Sequence, residues 1–263
     1  MSTMRQAVIT TVFGSQIDQL DHTFLSFAQN QFLELHAFIV GDRLPVKQYP
    51  EIKYHLCEPD GRLLHPFRDC QHRRFLAPDL LDVEYALIVD GTDVLCVQPL
   101  PEIPELLRGA SVGACVEYHG GSRVMCGMAC ANYMNDGVTF WHVPSSRKMR
   151  EAIFERGLSM YRASYDDQES FNEIVNTHYD QLTILPCQYN YRGFLNVRRR
   201  GWATITNLDG VKIYHCRTCI DAAKKLLPVA RMPILKPLPE DKTPPSPLLR
   251  KWRQYRHKLK RYE

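Results

Sequence analysis

The sequence predicts an α/β fold with a parallel central sheet. Three observations carry this. Apolar, β-branched runs alternate with stretches of helical spacing through the first half of the chain. Polar and acidic residues stand directly after several of those runs, where ligands gather at the carboxyl ends of strands in such sheets. The length of 263 residues, 44% hydrophobic and 24% charged, suits one large soluble domain with a substantial core.

The first run, AVITTVF (7–13), reads as a buried strand. Leu20, Phe24, Phe27 and Ala28 recur at helical spacing. HAFIV (36–40) is a second strand closed by Gly41 and Asp42, and IKYHLC (52–57) is a third. A helical stretch ends in RRFLAPDLL (73–81). EYALIVDGTDVLCV (84–97) holds two strand-like runs interrupted by a polar turn. PEIPELLRG (101–109) is a short helix with glycine as its stop. SVGACVE (111–117) and GVTFWHV (137–143) are strands separated by a loop rich in Gly and Cys. Ser145 or Ser146 is placed to cap a helix through Met149, Ala152, Ile153 and Arg156, and a further helix is expected from about Asp167 to Thr177.

Net charge is +4, but the last sixteen residues carry seven Lys or Arg against one Glu. The remainder holds 26 basic and 28 acidic residues, a nearly neutral body with a basic tail. The proline-rich stretch 233–247 separates the two and reads as an extended linker. The expected organisation is therefore a domain over 1–232, a linker over 233–247 and a tail over 248–263. No run approaches the ~18 apolar residues of a membrane span. MSTMRQAVITTVFG lacks the basic, apolar and cleavage regions of a signal peptide, so a cytoplasmic location is expected. The odd count of nine cysteines, with Cys57, Cys96 and Cys115 in strands, points to buried free thiols. Cys126, Cys130, Cys216 and Cys219 have spacings that fit a structural zinc poorly.

Asp90 and Asp93, in ALIVDGTDVLC, are the most informative residues. Two carboxylates in one tight turn repel each other, and a divalent cation removes that penalty. Oxygen ligands with open positions suit Mn²⁺ or Mg²⁺, which can bridge to a diphosphate. Gly91 permits close backbone approach at the turn. A solvated Asp-Gly turn is the competing reading from spacing alone.

Further motifs follow in order. They are Arg74 in RFLAPDLL, Asn135-Asp136-Gly137-Val138, Asp167-Gln168-Glu169 with Asn172, Leu185-Pro186 with Tyr189-Asn190, and KIYHC with His215. With the acidic turn, this series resembles the GT-A glycosyltransferases, most closely the retaining enzymes of glycosyltransferase family 8, over about residues 6–225. The resemblance implies a GT-A (Rossmann-like) nucleotide-diphospho-sugar transferase fold, with a mixed, mostly parallel central sheet and flanking helices. It implies a metal site of Asp90, Asp93 and His215 for Mn²⁺ (or Mg²⁺). It places Thr10, Thr11 and Phe13 at the nucleotide base and Arg74 at the diphosphate or donor sugar. Asn135, Asp136 and Gly137 would line the sugar or acceptor pocket. Asp167 would bond the donor sugar hydroxyls and Gln168 would lie near the anomeric carbon. Two departures stand out. The acidic motif is D-x-x-D rather than D-x-D, and Asp221 occupies the family's lysine position, leaving Arg217 or Lys224 for the phosphates.

Each residue has a plainer reading: a helix N-cap for Asp167, strand packing for Thr10 and Phe13, a surface Arg74, a satisfied His215. In the tail, Trp252, Tyr255, Leu259 and Tyr262 form one aromatic, apolar helical stripe among basic residues, which suits an anionic membrane surface. The function expected from the resemblance is a metal-dependent hexosyltransferase using a nucleotide sugar, of which a UDP-sugar is the expected case. It would act on a glycan or lipid-linked acceptor, in polysaccharide or lipopolysaccharide synthesis, with retention, at the inner membrane face. A nucleotidyltransferase and a non-catalytic nucleotide-sugar-binding protein are the alternatives. VFGSQIDQ, with one Gly and no Lys, counts against the former. The near-neutral body gives no basic surface for nucleic acid.

Overall fold

The computed structural model describes residues 4–20, 24–59, 66–117, 124–125, 128–129, 132–160, 166–192, 194–195, 204–205 and 208–215. The proline-rich linker, the basic tail, Asp221, Arg217, Lys224 and the four cysteines considered for zinc lie outside the described residues.

The strands are β1 (Gln6–Phe13), β2 (Leu33–Val40), β3 (Ile52–Cys57), β4 (Tyr85–Val89), β5 (Val94–Cys96), β6 (Val112–Val116), β7 (Val124–Met125), β8 (Met128–Ala129), β9 (Met134–His142), β10 (Leu182–Ile184), β11 (Phe194–Leu195), β12 (Thr204–Ile205) and β13 (Ile213–His215). The α-helices are α1 (Pro66–Arg73), α2 (Ile103–Leu107), α3 (Val143–Ser159) and α4 (Asp166–Val175). Seven strands form the main sheet, in the order β10-β6-β9-β4-β1-β2-β3. Every pairing in it is parallel except those of β9, which runs antiparallel to both β4 and β6. The expected mixed, mostly parallel sheet with flanking helices is therefore present.

Period-two alternation decides which face each side chain covers. Val8 and Val12 of β1 join Leu35, Ala37 and Ile39 of β2 in a core covered by Ile17, Phe24, Phe27 and α2. Ala7 and Ile9 face the opposite core with Phe38, Ile88 and Trp141, covered by Phe75, Met149, Ile153 and Phe171. The sheet is buried on both faces, as its unbroken apolar runs require.

Three local expectations are corrected. The run through Leu20, Phe24, Phe27 and Ala28 is not one continuous α-helix: Leu20 and Phe24 are α-helical, but Gly14–Gln19 and Leu25–Gln29 on either side are short 3₁₀ turns. Their apolar residues are needed as core cover, and helical spacing alone does not distinguish the two helix types over so few residues. Neither Ser145 nor Ser146 caps α3. The N-cap is His142, Pro144 occupies the first turn, and Ser146 Oγ donates to the His142 carbonyl at 2.7 Å. The strand holding Trp141 begins at Met134 rather than at Gly137, so Asn135 and Asp136 belong to it. The glycine stop after α2 holds: Arg108 and Gly109 both take positive φ, 51° and 88°. Cys96 and Cys115 are buried free thiols, and burial pushes both up to about 12. Cys57 is half-buried and free.

Two features position the site. The reversed strand β9 brings its first residues to the same edge as the last residues of β4 and β6. The β6–β9 register also slips, from Ala114 opposite Thr139 to Cys115 opposite Asn135, so Asp136–Val138 have no counterparts on β6. That bulge turns Asp136 and Gly137 toward the acidic turn after β4. Behind the site, fully buried Arg150 of α3 donates to both Asp79 oxygens at 2.8 Å and to the Phe75 carbonyl at 2.9 Å. This clamps the backbone immediately after Arg74.

Candidate functional site

A cleft of about 360 Å³ opens at the carboxyl edge of the sheet. It is lined by Thr11 from β1, Arg74 after α1, Asp90 to Asp93 after β4, Asn135 and Asp136 from β9, Asp167 and Gln168 from α4, and His215. Residues far apart in sequence thus converge where parallel strands end, the position at which open α/β sheets bind ligands.

Arg74 is the centre of charge. It is 3% exposed, yet its guanidinium meets three carboxylates. Nη1 donates to Asp90 Oδ1, and Nη2 donates to Asp136 Oδ2 and, at 2.9 Å, to Asp167 Oδ2. Burial alone would lower the Arg74 pKa, but Asp136, Asp90 and Asp167 together raise it. Burial would raise the Asp90 carboxyl, and Arg74 with His215 holds it instead below the usual carboxylate range. Asp136 goes the other way. Burial pushes it well above that range, and neighbouring Asp167 and Asp90 add to the push against Arg74. Burial raises Asp167 as well, against the pull of Arg74. One cation shared among buried Asp136 and Asp167 and part-exposed Asp90 leaves the cleft electronegative.

The second cluster is Asp90, Asp93 and His215. One ligand atom from each lies within 4.8 Å of the other two. His215 Nε2 is 3.3 Å from Asp90 Oδ2 and 3.8 Å from Asp93 Oδ2. Two carboxylates and an imidazole meeting at one point suit a divalent cation of the Mn²⁺ or Mg²⁺ kind. His215 is delivered by β13, which pairs antiparallel with β5, so the strand leaving the acidic turn also carries its partner strand. Gly137 is obligatory beside them: a Cβ there would stand 2.4 Å from His215 Cε1 and 2.5 Å from Asp90 Oδ2. At Gly91 a Cβ would stand 2.4 Å from Val12 Cγ1. The turn is therefore pressed onto the end of β1.

An amide network surrounds the cluster. His215 Nδ1 is 3.0 Å from Asn190 Oδ1, and Asn190 Nδ2 donates to Asn135 Oδ1 at 2.8 Å. Asn135 Nδ2 donates to Glu117 Oε2 and to Gln168 Oε1, each at 2.9 Å. Glu117 also accepts from Arg192 Nη1. Asn172 bonds both the amide and the carbonyl of Met134, at 2.6 and 2.8 Å, and fastens α4 to the start of β9.

The residues singled out in the sequence divide accordingly. Asp90, Asp93, His215, Arg74, Asn135, Asp136, Asp167 and Gln168 share the cleft. Gly137 adjoins it, touching Asp90 and His215 as above. Thr11 lines the cleft and donates to the Cys70 carbonyl at 2.7 Å. Thr10 is fully buried, beneath the Gly91 turn, and Phe13 ends β1 away from the lining. Gln16, Gln71 and Arg192 also line the cleft, and sequence reasoning did not find them. Neither their spacing nor their type marks them out. Arg192 follows the Tyr189-Asn190 motif by two residues, which is the one available signal.

No protein-family model matches the sequence, and no curated protein sequence matches it. Many solved structures share its fold. The galactosyltransferase LgtC, solved in complex with donor and acceptor sugar analogs, aligns at 16% identity with a TM-score of 0.56, covering 94% of this chain and 99% of that one. The glycosyltransferase GlyE of Streptococcus pneumoniae aligns at 16% identity with a TM-score of 0.47, covering 73% of this chain. The alignment spans 47%, about half, of the GlyE chain. The LgtC likeness covers nearly the full length of both chains and establishes the GT-A fold expected from the sequence.

Proposed function

We propose that this chain is a metal-dependent glycosyltransferase that moves a hexose from a nucleotide sugar, a UDP-sugar, to a hydroxyl of a glycan or lipid-linked acceptor. The observation that carries the reading is the meeting of Asp90, Asp93 and His215 at one point, in a cleft at the carboxyl edge of a GT-A sheet. The full-length likeness to an enzyme solved with donor and acceptor sugar analogs supports the same reading. Asp90, Asp93 and His215 would hold Mn²⁺ (or Mg²⁺). When bound, the cation supplies charge neutralisation to a departing diphosphate. Thr11 lies on the same wall at the end of β1 and faces the nucleotide. Asp167 accepts from the donor sugar hydroxyls, and Gln168 stands beside the anomeric carbon. Arg74 orients Asp90 and Asp167 and fixes their separation, since both carboxylates bond the same guanidinium. Asp136 and Asp167 share Arg74 Nη2, which ties down the two buried carboxylates a double displacement would need free. Retention of configuration is proposed from the family-like site, and with those carboxylates engaged the front-side route is preferred to a double displacement. Product NMR showing a β-linkage from an α-linked donor would defeat it.

Donor-only hydrolysis across a panel of nucleotide sugars with Mn²⁺ tests the class. One nucleotide is expected to be released in a metal-dependent way. Asp93→Ala is expected to lower that rate about 100-fold, because a charged ligand is lost while Arg74 still holds Asp90. Equal rates with and without chelator would remove the metal from the reading.

The domain over 1–232 would work at an anionic membrane surface on the cytoplasmic side, held by the tail over 248–263 through the linker over 233–247. Among the described residues no helix is long and apolar enough to cross a membrane. Truncation after Pro247 is expected to abolish sedimentation with vesicles containing anionic lipid, while donor hydrolysis is retained. Undiminished sedimentation would end the proposal for the tail.

A further inference from the structure

We infer that Arg192 is a donor-binding residue: its guanidinium bonds the diphosphate of the nucleotide sugar beside the candidate metal site. The inference rests on the function proposed above.

Four carboxylates and two arginines line the cleft. A diphosphate enters such a cleft only where cations meet it. A divalent cation among Asp90, Asp93 and His215 would answer two of the carboxylates. Arg74 is committed elsewhere. It is 3% exposed, and its two terminal nitrogens already bond Asp90, Asp136 and Asp167. Arg192 is placed differently. Its Nη1 donates to Glu117 Oε2, and no other atom of this guanidinium has a hydrogen-bond partner among the described residues. Nε is buried in that condition. A buried donor without a partner is costly, and an entering oxygen removes the cost. Nε and Nη2 form one edge of the guanidinium with two parallel N–H bonds, a fork that fits two oxygens of a phosphate.

The backbone holds Arg192 alongside the metal cluster. The Tyr191 amide donates to the Ile213 carbonyl, and the Tyr191 carbonyl accepts from the His215 amide, each at 2.9 Å. Arg192 is therefore one residue from a backbone bond to a candidate metal ligand. Its side chain is 27% exposed and lines the cleft, whereas the Glu117 side chain is 6% exposed and does not. Glu117 is itself fixed. It accepts from Asn135 Nδ2 at 2.9 Å, and its amide donates to the Tyr133 carbonyl at 2.7 Å. The carboxylate thus anchors one corner of the guanidinium and leaves the other edge for a ligand. Thr11, on β1, faces the nucleotide away from β6, the strand that leads to Glu117, and the sheet order puts β4 and β9 between them. The contact of Arg192 is accordingly with phosphate and not with the nucleoside.

Calorimetry on the full chain saturated with Mn²⁺ tests this with two probes, UDP and uridine. The unsubstituted protein is expected to bind UDP more tightly than uridine. In Arg192→Met the UDP affinity is expected to fall on the order of 10- to 100-fold, the effect of losing a hydrogen bond to a charged group. Uridine affinity is expected to stay unchanged. Mn²⁺ affinity without nucleotide is expected not to fall, because the substitution removes a neighbouring positive charge. A merely structural role would lower all three. Since Arg192→Met leaves Glu117 without its cation, the double variant Glu117→Gln with Arg192→Met is compared with Glu117→Gln alone, and the same fall in UDP affinity is expected between them. That pair decides should Arg192→Met not fold. UDP affinity equal with and without Arg192 would overturn the inference and leave the donor reading standing, as would an equal fall for UDP and uridine. No UDP binding by the unsubstituted protein would remove the donor reading, and the inference with it.

Discussion

Arg74→Met is expected to destabilise the metal-free protein by about 3–5 kcal/mol near neutral pH, the usual cost of leaving a buried ionic partner uncompensated. Here three partners are left at once: Asp90, Asp136 and Asp167 would face one another without a cation. The pH dependence above about pH 5 should steepen with the substitution, because there Asp90 is ionised both folded and unfolded in the unsubstituted protein and only the raised Asp136 and Asp167 take up protons. In the unsubstituted protein the depressed Asp90 contributes stability above its ordinary pKa, which is lost as pH falls through its folded value. Raised Asp136 and Asp167 act oppositely and partly offset it. Without Arg74, burial and mutual repulsion push all three up. The folded state then binds more protons than the unfolded state, and stability rises as pH falls. Urea unfolding of both proteins with chelator, at about pH 8 and about pH 5.5, checks the size of the loss and the steeper gain on acidification. A loss under about 1 kcal/mol, or a variant that weakens further on acidification, would mean that Arg74 is not the hub of the cluster.

That expectation could not have been reached from the sequence, where Arg74 read as a phosphate contact or a surface residue. What can be read from a sequence is local. The runs of β1 to β6 announce themselves by period and β-branching, and the Asp90–Asp93 turn follows a buried strand by adjacency alone. What cannot be read is which distant groups share a side chain. Arg74, Asp136 and Asp167 come together only because β9 runs against its neighbours and bulges at Asp136–Val138, and a reversed strand leaves no mark on its own residues. Glu117 escapes notice for a related reason. It follows β6 like any polar residue after a strand, and the Asn135 amide it accepts from lies 18 positions later. Thr10 and Thr11 show the same limit within one strand. The alternation along β1 puts Thr11 at the cleft and sends Thr10 beneath the Gly91 turn, a distinction that two adjacent threonines do not reveal.

Gly137→Ala concentrates these arguments in one methyl group. Among the described residues Gly137 is not one of the glycines with positive φ, so alanine meets no backbone penalty. The whole effect comes from contact. The new Cβ would fall 2.4 Å from His215 Cε1 and 2.5 Å from Asp90 Oδ2, where carbon contacts ordinarily begin beyond 3 Å. Neither neighbour yields easily. The His215 amide is bonded to the Tyr191 carbonyl at 2.9 Å, and the Asp90 amide to the Gly137 carbonyl itself at 2.9 Å. The strain must therefore move two of the three candidate metal ligands together, whereas Asp93→Ala removes one and leaves the others in place. A displacement near 1 Å at each ligand is expected to lower metal-dependent donor hydrolysis on the order of 1,000-fold. Mn²⁺ affinity should fall in step, while far-UV dichroism keeps its α/β signature. Gly91→Ala is the comparison, since its Cβ would strike the Val12 side chain at 2.4 Å and neither His215 nor Asp90 is among its three closest contacts. Its Mn²⁺ affinity should fall by less. Undiminished Mn²⁺ affinity in Gly137→Ala would show that the cation, if bound, is not held between Asp90 and His215.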